Sequence, residues 1–348
     1  MKVVMIGADR SVHGGVSAVV NNYYAEGLDR KVDLLYIGTM IDAGKFRKLI
    51  RAFTAYLRFL IALPGMDILH VNMAADASFY RKRFFVDTAS LFGKKILIHE
   101  HGGDFQNFYY KKNNEKGRAA IRKTLNKAQV FVVLSNTWAD FFKPIVSEEK
   151  IVILENAVPV PPEPKTSYDD HNLLFLGRLC KEKGIAELFE AIPIAARRYP
   201  DLKLYLGGVW EDNTLKNKAD KLREHVEYLG WIDQEQKELY MDKCSIFILP
   251  TYFEGQPISL LEAMAKGMSV ISTQVGGIPQ ILRNGQDGIL ISPKDSQALA
   301  ESICNLLGDT DGKRRYGTSA RERAAEAYNI SKRVKDLVSI YEDLVKDK

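Results

Sequence analysis

The sequence predicts two doubly wound α/β domains joined by a proline-rich linker, and three observations carry that reading. Its 348 residues exceed what one core usually serves and suit two. Short β-branched runs alternate with longer segments of helical period, the pattern of parallel strands linked by helices. The alternation halts once, at PVPPEPKTSY within residues 158–168, where closely spaced prolines remove backbone donors and favour extended chain.

The first series of expected strands covers 2–8, 33–38, 67–72, 95–101, 129–135 and 150–155. The opening MKVVMIGADR reads as a strand because its apolar run is too short for a leader core. After the linker come 172–178, 203–208, 226–231, 244–250, 269–274 and 288–292. Open parallel sheets bind ligands beyond the carboxyl ends of their strands, so chemistry is expected just after these runs, with the two sets of strand ends facing a central cleft. The tail from 331 to 348 spaces Val334, Leu337, Val338, Tyr341, Leu344 and Val345 three and four apart, one face of a helix.

Composition bounds the function. Hydrophobic content of 46% with 27% charge is that of an ordinary globular chain, and no stretch reaches the roughly 20 apolar residues of a membrane span. Cys180, Cys244 and Cys304 are odd in number and lack metal-ligand spacing, so a reducing cytoplasm is expected and neither a disulfide framework nor a zinc site. Charge is uneven: residues 1–160 carry 23 Lys and Arg against 15 Asp and Glu, the remainder 26 against 29. The basic half is the one expected to meet an anionic surface. Nucleic acid is not the expected partner.

Two loops in the second series carry chemistry. In TYFEGQPISLLEAMAKG, the strand 244–250 runs through Glu254 and Gly255 into a helix with Pro257 near its first position. Free amides at a helix start favour anions and polar sugar oxygens, and Gly255 permits close approach to the backbone. Glu262, roughly two turns into that helix, is placed to accept from vicinal hydroxyls such as those of a ribose. The competing reading, surface carboxylates on an amphipathic helix, is opposed by the apolar Ile258, Leu260, Leu261, Ala263 and Met264 around them. In GRLCKEKG, Arg178 and Lys183 flank the start of the next helix at Ile185. Two cations there oppose the helix dipole unless an anion such as a diphosphate neutralises them; a polar turn is the plain alternative.

GRLCKEKG, YLGW at 228–231, EGQPISLLEAMAKG and STQVGGIPQIL at 272–282, in that order, resemble the donor half of glycosyltransferase family 4, and HGGVSAVV at 13–20 with HEHGGDF at 99–105 extend the resemblance over essentially the whole chain. It implies a GT-B architecture: an acceptor-binding domain, 1–163 plus 328–348 with a crossover helix, and a nucleotide-sugar domain, 164–327. It implies a metal-independent transfer with retention of configuration and no cofactor. Carried over, Arg178 and Lys183 hold the diphosphate, Glu254 the sugar hydroxyls and Glu262 the ribose, while the 228–232 segment, including Trp231 and Ile232, meets the base. Backbone at Gly14 and Gly15 approaches the β-phosphate, or else forms a simple tight turn. Gly255, Gln256, Pro257 and Ile258 line the sugar. The chain departs from the family pattern here, since EGQPIS is one residue shorter before the proline.

The resemblance assigns His101 to the reacting sugar, with Gly102 and Gly103 after it. Catalysis is expected from His101, Glu254, Arg178 and Lys183. His99 shares strand parity with His101, and His99, Asp104 and Asn72 are the candidate acceptor contacts. Asp309–Thr310–Asp311 superficially matches a metal-binding Asp-x-Asp but lies after a helix without further ligands, so no metal is expected. The first turn, GADRSVHGGV, lacks dinucleotide glycine spacing, which disfavours a dehydrogenase.

Residues 45–63, KFRKLIRAFTAYLRFLIAL, form a basic amphipathic segment. Either its apolar face packs on the sheet, or, with Arg81, Lys82 and Arg83, it attaches the protein to the inner face of a plasma membrane. The expected activity is transfer from a UDP-sugar, with GDP-sugar as the other donor, to a lipid-linked or saccharide acceptor in surface polysaccharide or glycolipid assembly. The alternatives are a nucleotide-sugar epimerase of the same shape and a non-catalytic sugar-nucleotide binding protein.

Overall fold

The computed structural model describes residues 1–102, 104–165 and 167–346, and divides into two compact units, Met1–Ala157 with Ile330–Lys348 and Val158–Asn329. The first runs β1 (Lys2–Gly7), α1 (Gly15–Ala25), α2 (Leu28–Lys31), β2 (Asp33–Gly38), α3 (Lys45–Ala62), β3 (Ile68–Met73), α4 (Ala77–Leu91), β4 (Lys95–Glu100), α5 (Phe105–Tyr110), α6 (Glu115–Leu125), β5 (Val130–Val133), α7 (Asn136–Phe142) and β6 (Ile151–Ile153). The second runs β7 (Asn172–Leu176), α8 (Ile185–Ala196), β8 (Lys203–Gly207), α9 (Asn213–Lys221), β9 (Val226–Gly230), α10 (Gln234–Lys243), β10 (Ile246–Leu249), α11 (Ile258–Lys266), β11 (Ser269–Thr273), α12 (Ile278–Ile281), β12 (Ile289–Ile291), α13 (Ser296–Leu307) and α14 (Thr310–Ala327). Then α15 (Ile330–Lys346) returns to the first unit.

Every expected strand forms, and each sheet is wholly parallel. The first has the order β2-β1-β3-β4-β5-β6, the second β12-β11-β10-β7-β8-β9. Strand order reverses between β1 and β3 in one and between β7 and β10 in the other, and such switch points open a crevice at the carboxyl ends. The loops after β7 and β10 are those bearing Arg178 and Glu254.

Helices cover both faces, which is why β3 and β4 are buried along almost their whole length. Period two then sorts their side chains. Leu69, Val71, Ile96 and Ile98 enter an aromatic core with Phe59, Phe85 and Phe131. His70, Asn72 and His99 turn to the other face, in register through the pairings His70 with Leu97 and Asn72 with His99. Helix α15 covers that face with Val334, Leu337 and Tyr341, all fully buried.

The proline-rich stretch belongs to the second unit. Val158 donates to the Tyr328 carbonyl at 2.9 Å, and Arg321 donates to the Pro161 carbonyl at 2.5 Å. The chain therefore passes between units at 157–158 and 329–330, against expected divisions after 163 and 327. No helix among the described residues is long and apolar enough to cross a membrane.

Candidate functional site

In the second unit, backbone packing brings the strand-end loops together. Gly184 sits at φ 71°, where a Cβ would collide with the Pro250 carbonyl, so the loop ending in Lys183 rests directly on the loop after β10. Gly276 at φ 54° and Gly277 do the same against the backbone of Glu254 and Gly255, and Gly277 donates to the Glu254 carbonyl at 3.2 Å. The motif STQVGGIPQIL thus props up the Glu254 loop. Tyr252 N–H donates to the Glu182 carbonyl at 2.8 Å, closing the bracket.

This packing forms an ion pair between Lys183 Nζ and Glu254 Oε1, with both side chains largely covered. A second pair joins Lys237 of α10 to Glu262 of α11 at 2.5 Å. Arg178, half exposed, reaches Glu211 at 3.1 Å. The two cations at the α8 start are therefore each balanced by a carboxylate supplied from elsewhere in the unit. Lys237 and Glu211 were not legible as partners, because each stands more than 20 residues from the group it meets.

Helix α11 begins at Ile258 with Pro257 as its N-cap, and no side chain caps it. The cap residue thus supplies no acceptor to the first amides, at a point where an anion is favoured. Glu262 is the fifth residue of α11, a little over one turn in and not two, because the helix starts after the proline. Gly255, Gln256, Pro257 and Ile258 are all buried, so this segment presents backbone more than side chain. In the 228–232 segment Trp231 is half exposed, Tyr228 donates to the Gly208 carbonyl at 3.1 Å, and Ile232 lies beside Gly207 at the end of β8.

The first unit holds a different cluster. His101 N–H donates to the Met73 carbonyl at 2.9 Å, extending the β3–β4 ladder by a residue. The His99 and His101 rings lie 4.0 Å apart and the His70 and His99 rings 5.6 Å apart. Asn72 spends its amide on the Ile6 carbonyl at 3.2 Å, so its Oδ1 faces His101 Nε2 at 2.9 Å. His101 Nε2 must then carry the proton, leaving Nδ1 as an acceptor. His70 Nδ1 meets the Tyr341 hydroxyl at 2.5 Å. Burial, and then the neighbouring rings, hold the His70 and His101 pKa well below the ordinary value; burial and the Arg333 charge push His99 down to about 3.

Beneath the His101 turn lie two titratable groups, Glu100 of HEHGGDF and Lys82 of the basic triplet, whose burial at this site the sequence did not reveal. Glu100 accepts from the Gly102 amide at 2.6 Å, and burial pushes its pKa up to about 8. Lys82 donates to Ser78 Oγ at 2.7 Å, and burial, with Arg81 beside it, pushes it down to about 7.

Several expectations change. Lys82 is 2% exposed, because the middle residue of a basic triplet on α4 turns toward the sheet; it offers nothing to a membrane. His99 and Asn72 are fully buried, so they support His101 from within and do not present themselves to an acceptor. The Asp104 carboxylate is engaged locally, accepting from Asn107 Nδ2 at 2.5 Å and lying 3.8 Å from Lys112 Nζ. Gly103 lies outside the described residues. Gly14 is extended and Gly15 opens α1, so no left-handed turn explains the pair, and a Cβ at either would meet open space. Asp309 caps α14 through the Gly312 amide at 2.8 Å, while Asp311 is exposed beside Arg314.

Residues 170–309 match the family model described as Glycosyl transferases group 1. The phosphatidyl-myo-inositol mannosyltransferase of Mycobacterium leprae (strain TN) is 31% identical over 172 residues, 49% of this chain and 46% of that protein. The chain thus spans about half the length of the curated relatives it matches. Among solved structures, the sucrose-phosphate synthase of Thermosynechococcus elongatus superposes with a TM-score of 0.82 at 18% identity, covering 100% of both chains. Anabaena HepE in complex with UDP superposes with a TM-score of 0.77 at 16% identity over 99% of this chain and 100% of that one. Likeness at these identities establishes the fold, which is GT-B: two doubly wound, wholly parallel sheets closed by a C-terminal helix on the first unit.

Proposed function

We propose that this chain is a retaining glycosyltransferase that moves a sugar from a nucleotide sugar, with UDP-sugar as the donor, to a lipid-linked or saccharide acceptor in surface polysaccharide or glycolipid assembly. One observation carries the reading: Arg178, Lys183, Glu254 and the uncapped start of α11 converge beyond the strand ends at the β7–β10 switch point. The region matching the glycosyltransferase family model spans all of these residues, and UDP accompanies a neighbour of the same fold.

In the proposed mechanism the diphosphate lies against Arg178, Lys183 and the α11 amides. As the bond from the anomeric carbon to the diphosphate oxygen breaks, the acceptor oxygen bonds to that carbon on the same face. The acceptor proton passes to the departing diphosphate oxygen. Lys183 and Arg178 stabilise the charge that develops on the leaving group. Glu254 grips sugar hydroxyls, Glu262 the ribose, and the 228–232 segment the base. Two carboxylates flanking a scissile bond serve hydrolysis; these two already neutralise lysines and act as grips. His101, neutral and with Nδ1 free to accept, is assigned to the reacting sugar.

A panel of nucleotide sugars tests the reading by thermal stabilisation and by product analysis with and without acceptor. A true donor at 100 times its Kd adds about 2.7 kcal/mol, read as a clear rise in Tm. Product formed without acceptor would point to an epimerase, and no response to any nucleotide sugar would falsify the proposal.

A further inference from the structure

Helix α3 has two apolar faces. The inner one, Ala55, Phe59 and Ala62, is buried on the sheet. The outer one comprises Phe46, Leu49, Phe53, Leu57, Leu60 and Ile61, all exposed, with Phe53 at 62% and Ile61 at 81%. At 3.6 residues per turn these fall within an arc of about 120° that runs the length of the helix. The expectation that this face packs on the sheet is therefore reversed: the sheet takes the smaller face and leaves the larger to solvent.

The surface continues on α4. Both helices follow strands that step in the same direction across the sheet, from β2 to β3 and from β3 to β4, so right-handed crossovers lay them on the same side. They pack together through Phe59 and Phe85, 5.1 Å between rings, and through a 2.7 Å hydrogen bond between Tyr56 and Thr88. On its outer side α4 exposes Tyr80, Phe84 and Leu91, one stripe at helical spacing. Eleven of the twenty exposed large apolar side chains among the described residues lie between Phe46 and Phe92, far more than scattered surface apolars would place there.

The charges decide what covers it. Helix α3 carries five cations and no acid. Arg51 turns inward to Asp9 and the Gly38 carbonyl, whereas Lys45, Arg47, Lys48 and Arg58 are exposed. Arg47 and Arg58 border the apolar arc on one side and Lys45 on the other, the arrangement in which long cations keep their heads at phosphate level while the apolar face sinks between acyl chains. A second copy meeting this face about a two-fold axis through α3 would bring cations against cations with no acid on α3 to pair them.

We infer that the outer faces of α3 and α4 form a docking surface for an anionic lipid bilayer. The surface belongs to the first unit and the donor loops to the second, so the inference holds or fails independently of the transfer reaction.

The test is sedimentation of the full chain with vesicles of phosphatidylcholine alone or mixed with phosphatidylglycerol, at low and high salt. Wild type is expected to sediment with the mixed vesicles at low salt and to be released as salt rises. Phe53→Asp with Leu57→Asp should lower the partition coefficient by tenfold or more. Arg47→Gln with Arg58→Gln should lower it by about fivefold per cation on anionic vesicles only. All four positions are exposed, so the variants should keep the wild-type Tm and nucleotide-sugar response, which separates loss of docking from loss of fold or of donor binding. No sedimentation at low salt, unchanged binding by F53D/L57D, or a soluble dimer that F53D/L57D dissolves in place of vesicle binding would each overturn the inference.

Discussion

The two polar clusters of this molecule handle charge in opposite ways. In the second unit Lys183, Glu254, Lys237 and Glu262 remain ion-paired within reach of solvent. In the first, His70 and His99 are fully buried, His101 packs against His99 at the partly buried edge, and all three are held neutral. The difference follows from where each cluster sits. Loops beyond strand ends can keep charges partly hydrated and exchange one partner for another, so a paired lysine there can turn to a diphosphate at modest cost. Side chains on a covered sheet face have no such exchange, and neutrality is the only affordable state. The first arrangement suits recognition of a charged ligand; the second suits a rigid platform that aims one imidazole.

The largest expected effect tests the exchangeable side. Lys183→Ala should raise the barrier to transfer by about 2–4 kcal/mol, as does removal of a preorganised charge-stabilising donor, and should lower kcat/KM by roughly 30- to 1,000-fold on the same scale. Arg178→Ala should act in the same direction. Because Lys183 and Glu254 face each other, Glu254→Gln should compromise kcat as well, through the sugar grip and through a lysine left unbalanced in the free enzyme. Steady-state kinetics with the best donor from the panel would show it, and normal turnover in both alanine variants would remove these residues from the reaction.

How much of this could be read in the sequence divides along the same line. Backbone features were legible: strand runs, the loops after β7 and β10, and the helix start at Ile185 follow from periodicity and from glycine and proline placement. Side-chain partnerships were not. Lys237 and Glu211 reach their carboxylate and guanidinium only through tertiary packing. Lys82 looked like part of an exposed basic triplet, yet helical rotation sends its middle residue inward. His70 belongs to no motif, although strand parity with Asn72 would have placed it beside His99, and Glu100 lies inside HEHGGDF without the spacing marking it as buried. The outward face of α3 shows why amphipathicity alone misleads: a helix with apolar residues on two sides announces neither which side is buried.

The neutral cluster makes the first unit sensitive to acid. Each histidine titrates near 6.5 in the unfolded chain, and its folded pKa is lowered by burial first and neighbouring charges second, to about 3 for His99. Unfolding therefore takes up protons once the pH falls below about 6.5, and stability falls with pH. Glu100 acts in the reverse sense: pushed up to about 8, it holds a proton in the fold that the unfolded chain has released, so its contribution grows as pH falls from 8 toward 4.5. Lys82, pushed down to about 7, is protonated in both states by pH 6. Three histidines are lowered against one glutamate raised, so proton uptake on unfolding dominates and stability should fall between about pH 6 and 5. Trp138 of α7 reports on this unit alone once Trp210 and Trp231 are replaced by Phe. Its urea midpoint should drop between pH 7 and 5, and an unchanged midpoint would refute the contrast between the clusters.

The smallest effect separates the two grips within the donor loops. Glu262 and Lys237 pair at 2.5 Å with 15% and 19% of their side chains exposed, much as Glu254 and Lys183 do. What distinguishes them is the proposed ligand atom: Glu254 touches the sugar that reacts, Glu262 a ribose that does not. Glu262→Gln keeps an acceptor of the same shape but loses the charge-assisted part of its bond to a hydroxyl, a difference of about 1 kcal/mol. That corresponds to roughly fivefold weaker nucleotide binding. A contact equally good in ground and transition states changes KM and leaves kcat alone, so calorimetric Kd for UDP and KM for the donor should rise together while kcat stays within error. Should kcat fall as far as it does for Glu254→Gln, the two carboxylates would have to be reassigned to one function, and the ribose would need another partner.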